Sequence, residues 1–212
     1  MEDLRICKNT KVKSGNPRKF KRVFGVGVND ATYQVYTRVN GKQVICPFYA
    51  KWKKMLERVY YDSCHKLQPT YVGLDVCQDW LRFTKFFDWM VNLDWHGKEL
   101  DKDLLGDGKF YSPDTCCFIL DKTNNFLRQP RKKGRNPNLP IGVQQVGPDK
   151  FRSTIGDFEY GGTKHLGTFS TAKDAHLAWL NRKRELAFIL ADMESDPRVK
   201  KALREKYIEP SL

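Results

Sequence analysis

Residues 128–140 read RQPRKKGRNPNLP, with five basic side chains, no acidic one and almost nothing a core could use. Such a segment cannot bury enough apolar surface to order itself, so it predicts a linker at 129–139 with a separate unit on either side. A second run, KNTKVKSGNPRKFKR at 8–22, carries seven basic residues and no acidic one, and the two runs hold twelve of the thirteen net positive charges. Charge gathered in this way suits the neutralisation of phosphates; the plain alternative is a solvated linker. The 212 residues are 40% hydrophobic and 13% aromatic, enough to fill one large core or two small ones.

No run of apolar residues is long enough to cross a bilayer, and the N-terminal MEDLRICKNTK has no secretory apolar core, so a soluble intracellular protein is expected. The six cysteines form no Cys-x-x-Cys pair and have no histidine at zinc-ligand spacing, which predicts reduced, mostly buried thiols.

Periodicity gives the elements. FGVGVND and TYQVYTRV are β-type, and YQVYTRV-NG-KQVIC is a hairpin signal, because Asn40-Gly41 supplies the two positive φ angles of a type I′ turn. A small antiparallel sheet is therefore expected over 23–46. From Pro47 the period changes: Phe48, Trp52, Met55, Leu56, Val59 and Tyr60 share one helical face, with proline suited to the first turn. Val76, Trp80, Phe83, Phe87 and Met90 predict a second helix, and DSCHKLQPTYVGLD between the two reads as a loop holding His65. KFYSPDTCCFIL is β-like, and DKTNNFLRQ reads as a short helix ending at Pro130. Beyond the linker, IGVQQVG, KFRSTIGDFE and KHLGTFS are three strands. Thr171 and Asp174 cap a long helix that turns Ala175, Trp179, Leu186, Ile189 and Leu190 inward, and Asp196-Pro197 opens a last one.

The order CPFYAKWKKMLERVY, YVGLDVCQDWLRFTKFFDWM, GKELDKDLL, YSPDTCCF and LPIGV…KHLGTFSTAKDAHLAWLNRKRELA closely resembles bacteriophage HNH homing endonucleases that carry a C-terminal APETALA/ethylene-response-factor-type DNA-binding domain. The resemblance runs from Gly25 to Tyr207. It implies an α+β protein of four parts: a basic arm at 1–22, an HNH-endonuclease-like domain at 23–128, the linker at 129–139, and the APETALA-type domain with its terminal helix at 140–212. The first domain would join a β-hairpin sheet and helices to a central ββα-metal unit at about 95–128. In the second, a three-stranded antiparallel sheet would pack on a helix. The implied setting is the host cytoplasm, and the implied partner is double-stranded DNA. The sheet of such a domain enters the major groove, which carries Gln144, Lys150, Arg152, Ser153, Thr154, Lys164 and His165 forward as contacts, with Arg131, Lys132, Lys133 and Arg135 of the linker on phosphates. Arginine and glutamine offer paired donors to purine edges. An ordinary polar sheet face is the alternative, since residues 141–212 hold twelve basic against ten acidic side chains.

The resemblance places nuclease chemistry in LDKDLLGDGKFYSPDTCCFI, residues 100–119. An HNH site holds a metal on an Asp or Asn and a His, with a neighbouring His as general base. Here the strand end reads Asp101-Lys102-Asp103, and no histidine occurs between His96 and His165. Three options stay open. Lys102 acts as base, which an ammonium does poorly at neutral pH unless strongly desolvated. Alternatively Asp101 and Asp103, alternating onto one face of a strand, hold Mg²⁺ or another divalent cation with water as nucleophile and Asn124 or Asn125 as third ligand; His96, five residues upstream, either folds back as a base or sits in a WHG turn. In the third, the unit is catalytically dead and the protein is a binder, either a DNA-binding regulator or an inhibitor of a host enzyme or defence complex. The adjacent Cys116 and Cys117 would point to opposite faces of a strand and so would not share one ion.

Overall fold

The computed structural model describes residues 22–128 and 136–208. Nearly all of the N-terminal basic run, and Arg131, Lys132, Lys133 and Arg135 of the linker, lie outside the described residues. The architecture is α+β, divided into two compact units, Met1–Phe118 and Ile119–Leu212. The division falls inside a strand, ahead of the basic linker.

The first unit contains β1 (Tyr36–Val39), β2 (Lys42–Ile45), α1 (Pro47–Tyr60), α2 (Asp62–Leu67), β3 (Asp75–Val76), α3 (Phe83–Met90), β4 (Lys98–Asp101), β5 (Phe110–Tyr111) and the start of β6 (Cys117–Leu120). β1 and β2 form the expected hairpin: Asn40 has φ +51°, Gly41 has φ +78°, and Val39 stands opposite Lys42. The segment before β1 makes only isolated bridges, from Val23 to Gly27 and from Val28 to Arg82, so the sheet is smaller than 23–46.

Helix α1 begins at Pro47, whose missing N–H costs nothing in a first turn, and buries Phe48, Trp52, Met55, Leu56 and Val59. The Trp52 indole donates to the Trp80 carbonyl at 2.7 Å, so the largest side chain of α1 is also satisfied inside the core. The segment after α1 is not a plain loop. Asp62 in its first turn and His65 and Lys66 in its last complement the helix dipole of α2, and the His65 Nε2 lies 3.0 Å from the Arg58 carbonyl.

The expected helix over 76–90 is broken into β3, a 3-10 turn at Gln78–Leu81 and α3. Two tertiary contacts break it. The Cys77 N–H donates to the Tyr111 carbonyl at 2.9 Å, extending the parallel β3–β5 pairing. The Asp30 carboxylate, far away in sequence, accepts from the Thr84 N–H at 2.9 Å and from its hydroxyl at 2.7 Å, and so starts α3 at Phe83. Val76, Trp80, Phe83 and Met90 are buried all the same, in one cluster with Phe48 and Trp52.

The second unit contains α4 (Asp121–Leu127), β7 (Val143–Gly147), β8 (Lys150–Asp157), β9 (Gly162–Phe169), α5 (Ala172–Met193) and α6 (Pro197–Glu205). The three strands form one antiparallel sheet in the order β7–β8–β9, packed on the long helix α5. The Thr171 hydroxyl accepts from the Asp174 N–H at 3.1 Å, and Asp196 caps α6 ahead of Pro197. Ala175, Trp179, Leu186 and Leu190 form the buried stripe of α5. Gly142 enters β7 at φ +82°, over the Trp179 indole, where a Cβ would overlap the ring. Helix α4 is fastened within this unit: Lys183 donates to the Phe126 carbonyl at 2.7 Å, and Glu194 accepts from the Leu120 N–H at 3.0 Å. Among the described residues no helix is long and apolar enough to cross a membrane.

Candidate nucleic-acid interface

Residues paired across an antiparallel ladder point to the same face, so register sorts the sheet without reference to exposure. Gln144 pairs with Arg152, Arg152 with Thr168, Thr154 with His165 and Gly156 with Thr163. This set is the face turned away from α5; Gln144, Arg152, His165, Thr163 and Thr168 are all exposed. Lys150, two residues before Arg152 on β8, extends it at the β7–β8 turn. The opposite set is Val143 with Ser153, Ser153 with Gly167, Ile155 with Lys164 and Asp157 with Gly162. Ser153, Ile155 and Asp157 are buried against the helix side.

Two of the expected contacts therefore belong elsewhere. Ser153 is fully buried and its hydroxyl has no protein partner. Lys164 stands opposite Ile155 on the inner face, with its ammonium 3.9 Å from the Asp157 carboxylate. The register shift at Ser153/Thr154 leaves Leu166 as the extra residue, and that bulge decides that His165 rather than Lys164 faces outward. Thr163 and Thr168 join the outer face without having been expected there; the pairing register is the signal that finds them.

The faces also differ in charge. Asp157 is the only acidic residue in the three strands. It is turned inward, where Arg182 donates to it from Nε at 2.8 Å while also reaching Glu159 at 2.8 Å and Glu185 at 2.7 Å. The Arg182 hydrogen bond holds the Asp157 carboxyl below the usual carboxylate range. The outer face keeps Lys150, Arg152 and His165 with glutamine and threonine and no carboxylate. The near balance of charge in the C-terminal residues thus hides a segregation: among the described residues the acids lie in turns, in helices, in the link between α5 and α6 or on the inner face. Three strands place the outer two roughly 10 Å apart, a width that a major groove of about 12 Å admits.

The loop that follows β4 is organised around itself. Strand β4 ends at Asp101, so strand alternation does not carry Asp103 onto the same face. Asp101 is buried, and its Oδ1 accepts from the Asp103 N–H at 3.1 Å and the Leu104 N–H at 2.8 Å. Burial pushes its carboxyl above the usual range. Asp103 is exposed and takes the Lys102 ammonium at 2.8 Å, and Lys102 donates again to the Gly108 carbonyl at 2.6 Å. Lys102 also stands 5.8 Å from the centroid of the Tyr111 ring. These residues do not fit a divalent cation: one carboxylate closes a turn, and the other is bound to an ammonium held between the loop's two ends. His96 is exposed and stacked on Trp95 at 3.8 Å. Asn125, on α4 of the second unit, donates to Asp121 at 2.8 Å. Among the described residues no three His, Cys, Asp or Glu side chains are grouped to hold a metal ion. Cys116 and Cys117 are both fully buried, and burial pushes the Cys116 thiol up to about 12.

Comparison of the chain with protein-family models, with curated proteins and with solved structures gives no match.

Proposed function

We propose that the chain is a duplex-DNA-binding protein of the phage homing-endonuclease-like kind it resembles, and that its nuclease-like unit binds without cutting. The observation that carries this reading is the segregation of charge on the C-terminal sheet. One face holds Gln144, Lys150, Arg152, Thr154 and His165 with no acid, while the one acidic strand residue is turned inward and paired. In the proposed complex that face lies in the major groove. Arg152 and Gln144, side by side across β7 and β8, read base edges, and Lys150 neutralises a phosphate at the ribbon's turn. The basic linker, with Arg131, Lys132, Lys133 and Arg135, adds phosphate contacts along the same duplex.

The same reading makes residues 95–128 a ββα-type scaffold that has lost its metal chemistry. Support comes from Lys102, standing where the general-base histidine of the family belongs and engaged with Asp103. The test is equilibrium binding of the full chain to a library of duplex fragments, with selection of the bound sequences. A preferred site that loses its preference in Arg152→Ala supports the reading. Enrichment unchanged in that variant opposes it.

A further inference from the structure

The C-terminal unit holds a cleft of about 680 Å³, which meets the sheet's outer face at Gly156 and Thr163 but includes none of Gln144, Lys150, Arg152 and His165. Its volume lies within the roughly 300–1,000 Å³ usual for small-molecule sites. Lys122, Phe126, Arg128, Phe158, Trp179 and Lys183 line it. The ammonium of Lys183 is the unusual group. It lies 3.4 Å from the centroid of the Phe126 ring, 5.5 Å from that of Tyr207 and 6.0 Å from that of Trp179. Its hydrogen bond goes to a neutral acceptor, the Phe126 carbonyl, at 2.7 Å. Among the described residues no carboxylate lies within ion-pairing distance of it, and burial pushes it down to about 8.

The acids that line the same cleft are already engaged. Asp157 is held by Arg182 at 2.8 Å, and Asp121 accepts from Asn125 at 2.8 Å. Lys122 sits 5.1 Å over the Phe158 ring at the rim. A partly desolvated cation without a counter-ion is costly, and an anion entering the cleft would relieve that cost. The aromatic walls add a preference for an anion that carries a flat ring.

We propose that this cleft binds a nucleotide, free or carried in a single strand, with its phosphate on Lys183 and Lys122 and its base against the Phe126 and Phe158 wall. This site goes beyond the duplex-binding proposal and uses none of Gln144, Lys150, Arg152 and His165, sharing with that face only Gly156 and Thr163. The test is titration of the full chain, followed by Trp fluorescence and by calorimetry, with thymidine 5′-monophosphate, a short oligothymidylate and inorganic phosphate at one fixed ionic strength. Thymidine monophosphate is expected to bind saturably and more tightly than phosphate alone. Lys183→Gln and Lys122→Glu should each weaken it by at least roughly tenfold, the scale of a lost charge-assisted hydrogen bond. Lys122 is exposed, so its variant carries the test should Lys183→Gln fail to fold. An oligothymidylate bound more than tenfold tighter than the mononucleotide, with the same loss in both variants, assigns a single strand as occupant; equal affinities assign the free nucleotide. Arg152→Ala should leave thymidine monophosphate binding intact, so that failure of the duplex reading and failure of this one are told apart. Absence of saturable nucleotide binding, inorganic phosphate binding as tightly as the nucleotide, or affinity unmoved by either lysine variant would overturn the proposal.

Discussion

Gln144 and Arg152 are direct partners across the β7–β8 ladder, and both point away from α5. Their adjacency puts an amide and a guanidinium on neighbouring strands of a face that carries no acid. Arg152→Ala is expected to cost about 1–3 kcal/mol of specific duplex binding and to relax sequence preference at one position. Ser153→Ala, one residue along but buried on the other face, should leave DNA affinity unchanged. Equal losses in the two variants, measured by equilibrium binding, would mean that the face has been assigned wrongly.

The Asp157–Arg182 pair holds the inner face together. Removing the guanidinium in Arg182→Ala leaves a buried carboxylate with the Glu159 and Tyr160 N–H groups and, as its one cation, the Lys164 ammonium at 3.9 Å, and stability should fall by about 3 kcal/mol. Because the Asp157 carboxyl is held below its ordinary 3.8, the folded chain releases that proton more readily than the unfolded chain. Its contribution is therefore fully present above 3.8 and is lost as pH falls through the lower folded value. Chemical denaturation across that acid window should show the loss in the wild type and a smaller one in Arg182→Ala.

Asp101 has the opposite sign. Burial raises its carboxyl above 3.8, so the folded chain keeps that proton to a higher pH than the unfolded chain. Stability should fall as pH rises from 3.8 through the folded value. Asp101→Asn keeps an oxygen for the Asp103 and Leu104 N–H groups without the buried charge, so it should lack that fall and be at least as stable as the wild type at pH 7. Denaturation curves over the acid range check both statements.

The same loop predicts an absence of cutting. Supercoiled plasmid, and phage DNA bearing a selected site, should remain unnicked by the full chain with Mg²⁺ or Mn²⁺. Nicking that disappears in Asp101→Ala would restore the nuclease reading.

Gly142→Ala tests how the sheet meets its helix. The backbone there has φ +82° and a Cβ would overlap the Trp179 indole, so the variant should lose more than about 1 kcal/mol in thermal or chemical unfolding. A neutral outcome would mean that the β7 entry is looser than described.

The elements that local chemistry determines were legible in the sequence. Asn40-Gly41 makes its hairpin, Pro47 starts α1, and Thr171 and Asp196 cap the two C-terminal helices where expected. What local pattern misread was decided from a distance. The aromatic stripe from Val76 to Met90 has helical spacing, yet Tyr111 claims the backbone at Cys77 and Asp30 claims that of Thr84. Lys164 and His165 are adjacent and both basic, and only the bulge in β9 tells which faces out. Strand alternation was the reason for joining Asp101 to Asp103, and it fails because β4 stops at Asp101.

The most direct test of the outer sheet face is the salt dependence of binding to a mixed-sequence duplex, compared between the wild type and Lys150→Ala/Arg152→Ala. Each phosphate contact contributes a slope of about 0.9 in log affinity against log salt. The wild type should weaken steeply with salt, and the double variant should bind more weakly with its slope reduced by about 1, the share of the Lys150 phosphate contact. A slope that is unchanged in the double variant, with unchanged affinity, would contradict the account.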